Sequence, residues 1–156
     1  MAYEEKFMNR AAELSITSIE NGGGPFGAVI VKNGEIIAES SNSVTKDNDP
    51  TAHAEVNTIR KACKLLNTFD LSGCEIYSSC EPCPMCLSAI YWAHIDTLYF
   101  GNTKIDAANI GFDDSFIYNE LDLPIEKRSV KSTQCGRELA IKAFELWQSK
   151  TDKIEY

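Results

Sequence analysis

His53 and Glu55 close the run Asn48-Asp49-Pro50-Thr51-Ala52-His53-Ala54-Glu55, and Cys83 and Cys86 close Ser79-Cys80-Glu81-Pro82-Cys83-Pro84-Met85-Cys86. One imidazole and two thiolates in this pattern are three ligands for a single metal ion, so the fold has to bring both segments to one point. Three protein ligands on tetrahedral zinc leave one position open, which a hydrolytic site needs for water and a structural site does not. Glu55 is not needed as a ligand and is available to move protons. Taken alone it is an ordinary first-turn glutamate, and its role depends on the pattern around it. Cys80 also stands three residues before Cys83, so a ligand set using Cys80 competes. Cys83 with Cys86 is preferred, with Cys80 packed beside the site.

Both segments open helices. Residues 53 to 66 carry Val56, Ile59, Cys63 and Leu66 at helical spacing, and residues 83 to 93 form a second helix. Cys83 and Cys86 then share a helix face. The positive end of the helix dipole favours thiolate there, and Pro82 and Pro84 suit a first helical turn. Upstream, residues 4 to 20 place Phe7, Ala11 and Leu14 on one face, widened by Met8, Ala12, Ile16 and Ile19. The run Gly22-Gly23-Gly24-Pro25 ends that helix; no Gly-Lys-Ser/Thr follows, so it is a turn and not a phosphate loop. Phe26 to Lys32, the turn Asn33-Gly34 and Glu35 to Ser40 read as a hairpin. Cys74 to Ser79, Thr97 to Gly101 and a last stretch near Ser129 to Thr133 read as further strands. A closing helix carries Leu139, Ala140, Ala143, Phe144 and Trp147. The sum is a three-layer α/β domain with a mixed sheet, antiparallel at the first hairpin and parallel afterwards.

A length of 156 residues suits one domain with one core. The formal net charge is −8 and the fifteen Lys and Arg are scattered, unlike the clustered basic footprint that binds phosphate backbones. A polynucleotide partner is disfavoured, and a small uncharged substrate fits better. Met1-Ala2-Tyr3-Glu4-Glu5-Lys6 lacks the apolar core of a signal peptide, and no stretch is long enough to cross a bilayer. Six cysteines around a Cys-x-x-Cys read as reduced thiols, so the expected compartment is the cytoplasm. Cys63, Cys74 and Cys135 read as small core residues, and His94 as a surface or dipole-complementing residue.

With those residues in place, the chain resembles the cytidine deaminase-like superfamily along essentially its whole length. Gly24-Pro25-Phe26-Gly27-Ala28-Val29-Ile30-Val31 and the two metal-site runs resemble its purine and cytosine branch. Gly111-Phe112-Asp113-Asp114-Ser115-Phe116-Ile117-Tyr118 and the closing Lys153-Ile154-Glu155-Tyr156 resemble the small bacterial guanine deaminases within it. The resemblance implies a three-layer α/β/α fold on a five-stranded mixed sheet, one zinc ion per subunit on His53, Cys83 and Cys86, and conversion of guanine to xanthine and ammonia. It further implies a homodimer whose C-terminal segments, about residues 137–156, are exchanged between subunits. Glu55 becomes the proton carrier and Asp114 a second one near the leaving amine. Asn42 would read the purine edge, Phe26 would stack on the base, Ala54 would lie against it and Tyr156 would close the pocket.

Without the resemblance, Asn42 is equally a turn former, Asp114 an exposed loop residue and Tyr156 a frayed terminus. Three other functions share the pattern: deamination of another base or nucleoside such as cytosine, adenine or guanosine; deamination of adenosine in transfer RNA; and non-catalytic zinc binding. The acidic charge argues against the second. Glu55 argues against the third, because a structural site has no use for that carboxylate.

Overall fold

Asn33 and Gly34 both take positive φ, 52° and 78°, as a two-residue type I′ hairpin requires. This turn joins β1 (Gly27–Lys32) to β2 (Glu35–Ser41), and Ile37 bulges from β2 opposite the Ile30/Val31 step. The computed structural model describes residues 2–156. They form two compact units, one ending at Asp114 and the other spanning Ser115–Tyr156. The first adds β3 (Cys74–Cys80) and β4 (Thr97–Asn102). Its helices are α1 (Glu5–Glu20), α2 (Val44–Asp47), α3 (Ala54–Leu66), α4 (Pro84–Trp92) and α5 (Lys104–Asn109).

The sheet has four strands in the order β2-β1-β3-β4. This corrects two expectations. Among the described residues five strands are not formed, and parallel pairing is confined to β3–β4, since β1–β3 is antiparallel like β1–β2. The chain leaves β2, crosses over β1 through α3, and returns beside β1 as β3. β1 therefore runs against the other three strands. The carboxyl ends of β2, β3 and β4 lie together, and the start of β1 joins them.

Alternation along the central strands divides the core. Val29, Val31 and Tyr77 pack with Phe7 of α1 on one face. Ile30, Ile76, Ala38 and Cys74 pack with Ala62 of α3 and Ile90 of α4 on the other. Phe7 meets the Tyr77 ring edge-on with centroids 5.3 Å apart. Helices thus cover both faces of the sheet. The apolar face of α1 is narrower than its composition suggests: Phe7, Ala11 and Ser18 are buried, while Ala12, Ile16 and Ile19 are exposed. Ser18 turns inward because its hydroxyl donates to the Gly24 carbonyl at 2.6 Å, tying the end of α1 to the following turn. No helix among the described residues is long and apolar enough to cross a membrane.

The second unit comprises α6 (Ser115–Asp122), a 3₁₀ turn (Ile125–Lys127) and α7 (Arg137–Ser149). Residues 129–133 form no strand. The Glu120 carboxylate accepts from the Ser129 backbone N–H at 2.7 Å and from its hydroxyl at 2.9 Å, so local side-chain bonds take a donor that a ladder would need. Cys135 is exposed, not a core residue as expected, whereas Cys74 is buried and Cys63 half-buried.

Two consequences concern stability. A Cβ on Gly27 would run into the Ala11 carbonyl and stand 2.7 Å from Leu14 Cβ. Gly27→Ala should therefore lower unfolding free energy by about 1–3 kcal/mol in a urea titration. Arg10 bridges α1 to β2 through two bonds to the Glu39 carboxylate, 2.8 and 2.6 Å. That guanidinium holds Glu39 below the usual carboxylate range. The contribution is present above the unfolded pKa, about 4.3, and is lost as pH falls through the depressed folded value. Both groups are more than a third exposed, so Glu39→Gln should cost less than ~1 kcal/mol at neutral pH. The gap from the native protein should close in melts taken at progressively lower pH.

Candidate active site

The loop that delivers His53 is fixed before α3 begins. Asp49 accepts from the Thr51 N–H and hydroxyl at 2.8 and 2.7 Å, and the Ser43 N–H donates to the Ala52 carbonyl at 2.9 Å. From α3 itself, the Asn57 side-chain amide donates to Ser41 O, Ser43 Oγ and Ala52 O at 2.9–3.3 Å. His53 is then the N-cap of α3, with Ala54 and Glu55 as its first helical residues. Cys83 caps α4 in the same way, with Pro84 in the first turn and Cys86 one turn in. Its loop is held by Glu81, whose N–H donates to Asn102 O at 2.7 Å and whose carboxylate accepts from the Lys104 N–H at 2.9 Å.

His53 Nδ1 lies 3.5 Å from Cys83 Sγ and 3.5 Å from Cys86 Sγ, and all three donor atoms fall within 4.8 Å of one another. A tetrahedral ion with Zn–N of about 2.0 Å and Zn–S of about 2.3 Å sets nitrogen and sulfur roughly 3.5 Å apart. The donor set and its spacing therefore fit zinc. No other cluster of three donor residues occurs among the described residues. The competing choice, Cys80, is buried with its Sγ 3.8 Å from the Thr103 carbonyl oxygen, and burial pushes its thiol up to about 11.

The Cys86 thiol donates to the Cys83 sulfur, which lowers the Cys83 pKa, with His53 adding to the effect. Cys86 keeps its proton more tightly as the donor of that bond. Glu55 is only 5% exposed. Burial raises its pKa, against hydrogen bonds that include Ser78 and Cys86; the Ser78 hydroxyl donates to Glu55 Oε1 at 2.8 Å. Asp114 is half-buried, raised by burial and then by the charge of Cys83.

Of the other candidates, Phe26 precedes β1 and Asn42 follows β2, and the Asn42 N–H donates to the Phe26 carbonyl at 3.1 Å. Asn42 Oδ1 accepts from the Val44 N–H at 3.2 Å, so the turn-forming role is real. Phe26 and Cys80 help to line a cavity of about 360 Å³. The Phe112 ring meets Phe26 edge-on at 5.0 Å. Ala54 is buried. Tyr156 belongs to the second unit and is 74% exposed. Outside this region, His94 is half-exposed, takes φ 57° just beyond α4 and lies 3.6 Å from the Asp70 carboxylate.

Asn57, Thr58 and Ser78 were not singled out from the sequence. The signal for the first two was present: polar residues on the inward face of α3, where Thr58 is fully buried and donates to Ala54 O at 2.7 Å. Ser78 offered none beyond an inward position on β3.

Over residues 1–102 the chain matches the family described as the cytidine and deoxycytidylate deaminase zinc-binding region. Guanine deaminase of Bacillus subtilis is 52% identical over 153 residues, covering 97% of this chain and 98% of that one. An X-ray structure of guanine deaminase from Bacillus subtilis superimposes with a TM-score of 0.95 at 51% identity, over 99% of both chains. A tRNA-specific adenosine deaminase of Aquifex aeolicus is 41% identical over 82% of each chain. The matched residues include the whole of the donor set, and the chain belongs to the cytidine and deoxycytidylate deaminase family.

Proposed function

We propose that this protein hydrolyses guanine to xanthine and ammonia. The observation that carries the reading is a buried carboxylate, Glu55, set beside a three-donor metal site in a chain 52% identical to a guanine deaminase over nearly its full length. Zinc on His53, Cys83 and Cys86 would supply Lewis acidity and a water of lowered pKa at the position that the three side chains leave open. Glu55 takes a proton from the attacking water and passes it to a ring nitrogen. It then carries the second proton from the new C2–OH to the amine, so that the C2–N bond breaks, ammonia leaves and C2 is left as a carbonyl. Burial suits it to this work, because a carboxylate lifted out of its usual range holds and releases a proton nearer neutrality. Asp114 serves the departing ammonia in the same way.

Recognition falls to groups on the loops at that end of the sheet. Phe26 stacks on the base, Asn42 donates to an acceptor on the purine edge, and Ala54 keeps the start of α3 clear for the ring. Tyr156 closes the pocket in a homodimer whose C-terminal segments are exchanged. Supporting this arrangement, α7 leaves Leu139 and Phe144 each 74% exposed, an apolar face that calls for cover. A net charge of −8 favours a neutral base over a transfer RNA.

Ammonia release measured with guanine, guanosine, adenine and cytosine tests the reading. Guanine should be the substrate turned over, and Glu55→Gln should keep its zinc while losing at least about a hundredfold in kcat. Turnover of a different compound would discard the pocket assignment, and an active Glu55→Gln would discard the proton carrier. Deleting Ile154–Tyr156 should leave the melting temperature and the dimer mass unchanged while lowering kcat/KM by roughly a hundredfold. A fully active truncated protein would remove Tyr156 from the site.

A further inference from the structure

We infer that Ser78 is a positioning residue for the deamination, acting through Glu55; the inference rests on the role proposed for that carboxylate. Four residues of β3 point towards α3 and α4: Cys74, Ile76, Ser78 and Cys80. Two of them, Cys74 and Ile76, belong to the hydrophobic core beneath those helices. Ser78 follows them, 2% exposed, in register with Ala28 of β1 and Phe100 of β4. Ala28 is fully buried and its carbonyl accepts from Thr58. Small residues at 28 and 78 leave space between α3 and the sheet, and the Glu55 carboxylate occupies it.

The hydroxyl of Ser78 donates to Oε1 of Glu55 at 2.8 Å. A carboxylate can rotate about its last torsion, and its two oxygens are then equivalent. A donor from a central strand removes that freedom. It commits Oε1 to the sheet and leaves Oε2 for the proton in transit, so one oxygen anchors and the other works. The hydroxyl of Ser78 is spent on one partner, the Glu55 carboxylate. A core position needs no hydroxyl for packing, and alanine has the volume to sit there.

Steady-state kinetics on zinc-loaded native protein, Ser78→Ala, Ser78→Thr and Glu55→Gln decide the matter, with zinc content and melting temperature measured on each. Ser78→Ala should lower kcat roughly ten- to a hundredfold with KM changed by less than about threefold, since the lost bond acts on the reacting carboxylate. Ser78→Thr, which restores a hydroxyl, should recover most of kcat. Should threonine fail to fold there, Ser78→Cys, a weaker donor of similar size, should fall between serine and alanine. Zinc content should match the native protein in every variant. A Ser78→Ala enzyme with kcat within twofold of native, beside an inactive Glu55→Gln, overturns the inference and leaves the proton carrier standing. A loss in Ser78→Ala matched by lost zinc or a collapsed melting temperature, with no rescue by threonine or cysteine, also overturns it. An active Glu55→Gln overturns the role of Glu55 and this inference with it.

Discussion

Two short helices must begin at the same place, and the molecule is arranged around that requirement. A neutral imidazole and two sulfurs can reach one ion only if the first turns of α3 and α4 approach to within side-chain length. Running β2, β3 and β4 in one direction achieves it, because the connections leaving their carboxyl ends then emerge side by side. This is the crevice in which open α/β sheets usually hold their ligands. β1 serves the same end by running backwards, so that Phe26 at its start joins Asn42, His53 and Cys83 at the ends of the others.

The second constraint is a charge taken out of water. Burying Glu55 between α3 and the sheet is unfavourable unless its oxygens are bonded, and Ser78 supplies one bond. Negative charge on Cys83 works against that bond, making ionisation of Glu55 and Asp114 harder, while hydrogen bonding with Cys86 favours the ionised Glu55. His53, Cys83, Cys86, Glu55 and Asp114 therefore form one electrostatic group, drawn from three stretches of the chain.

How much of this could be read in advance depended on range. The hairpin was legible because Asn33-Gly34 specifies its turn from two residues. The donor set was legible because its spacing is chemical and not topological. The antiparallel β1–β3 pair was not, since nothing local to either strand reports which neighbour it will have. The stretch at 129–133 misled for the opposite reason: its composition suits a strand, but Glu120 binds its backbone locally. On α1 the pattern named too wide a face, because the hydroxyl of Ser18 competes for the interior against Ile19. The family resemblance supplied Asp114, Asn42 and Tyr156, which their own sequence surroundings would have left as loop and terminus.

The donor geometry has a meaning for the chain as well as for chemistry. His53 and Cys83 are thirty residues apart, so an ion held by both is a cross-link that closes a loop. In the unfolded chain such a closure removes conformational freedom, as a disulfide of the same span would, by about 3–4 kcal/mol in the chain-entropy account. The centre is therefore also a reversible staple across the middle of the fold, and it can be opened by a chelator without breaking a covalent bond.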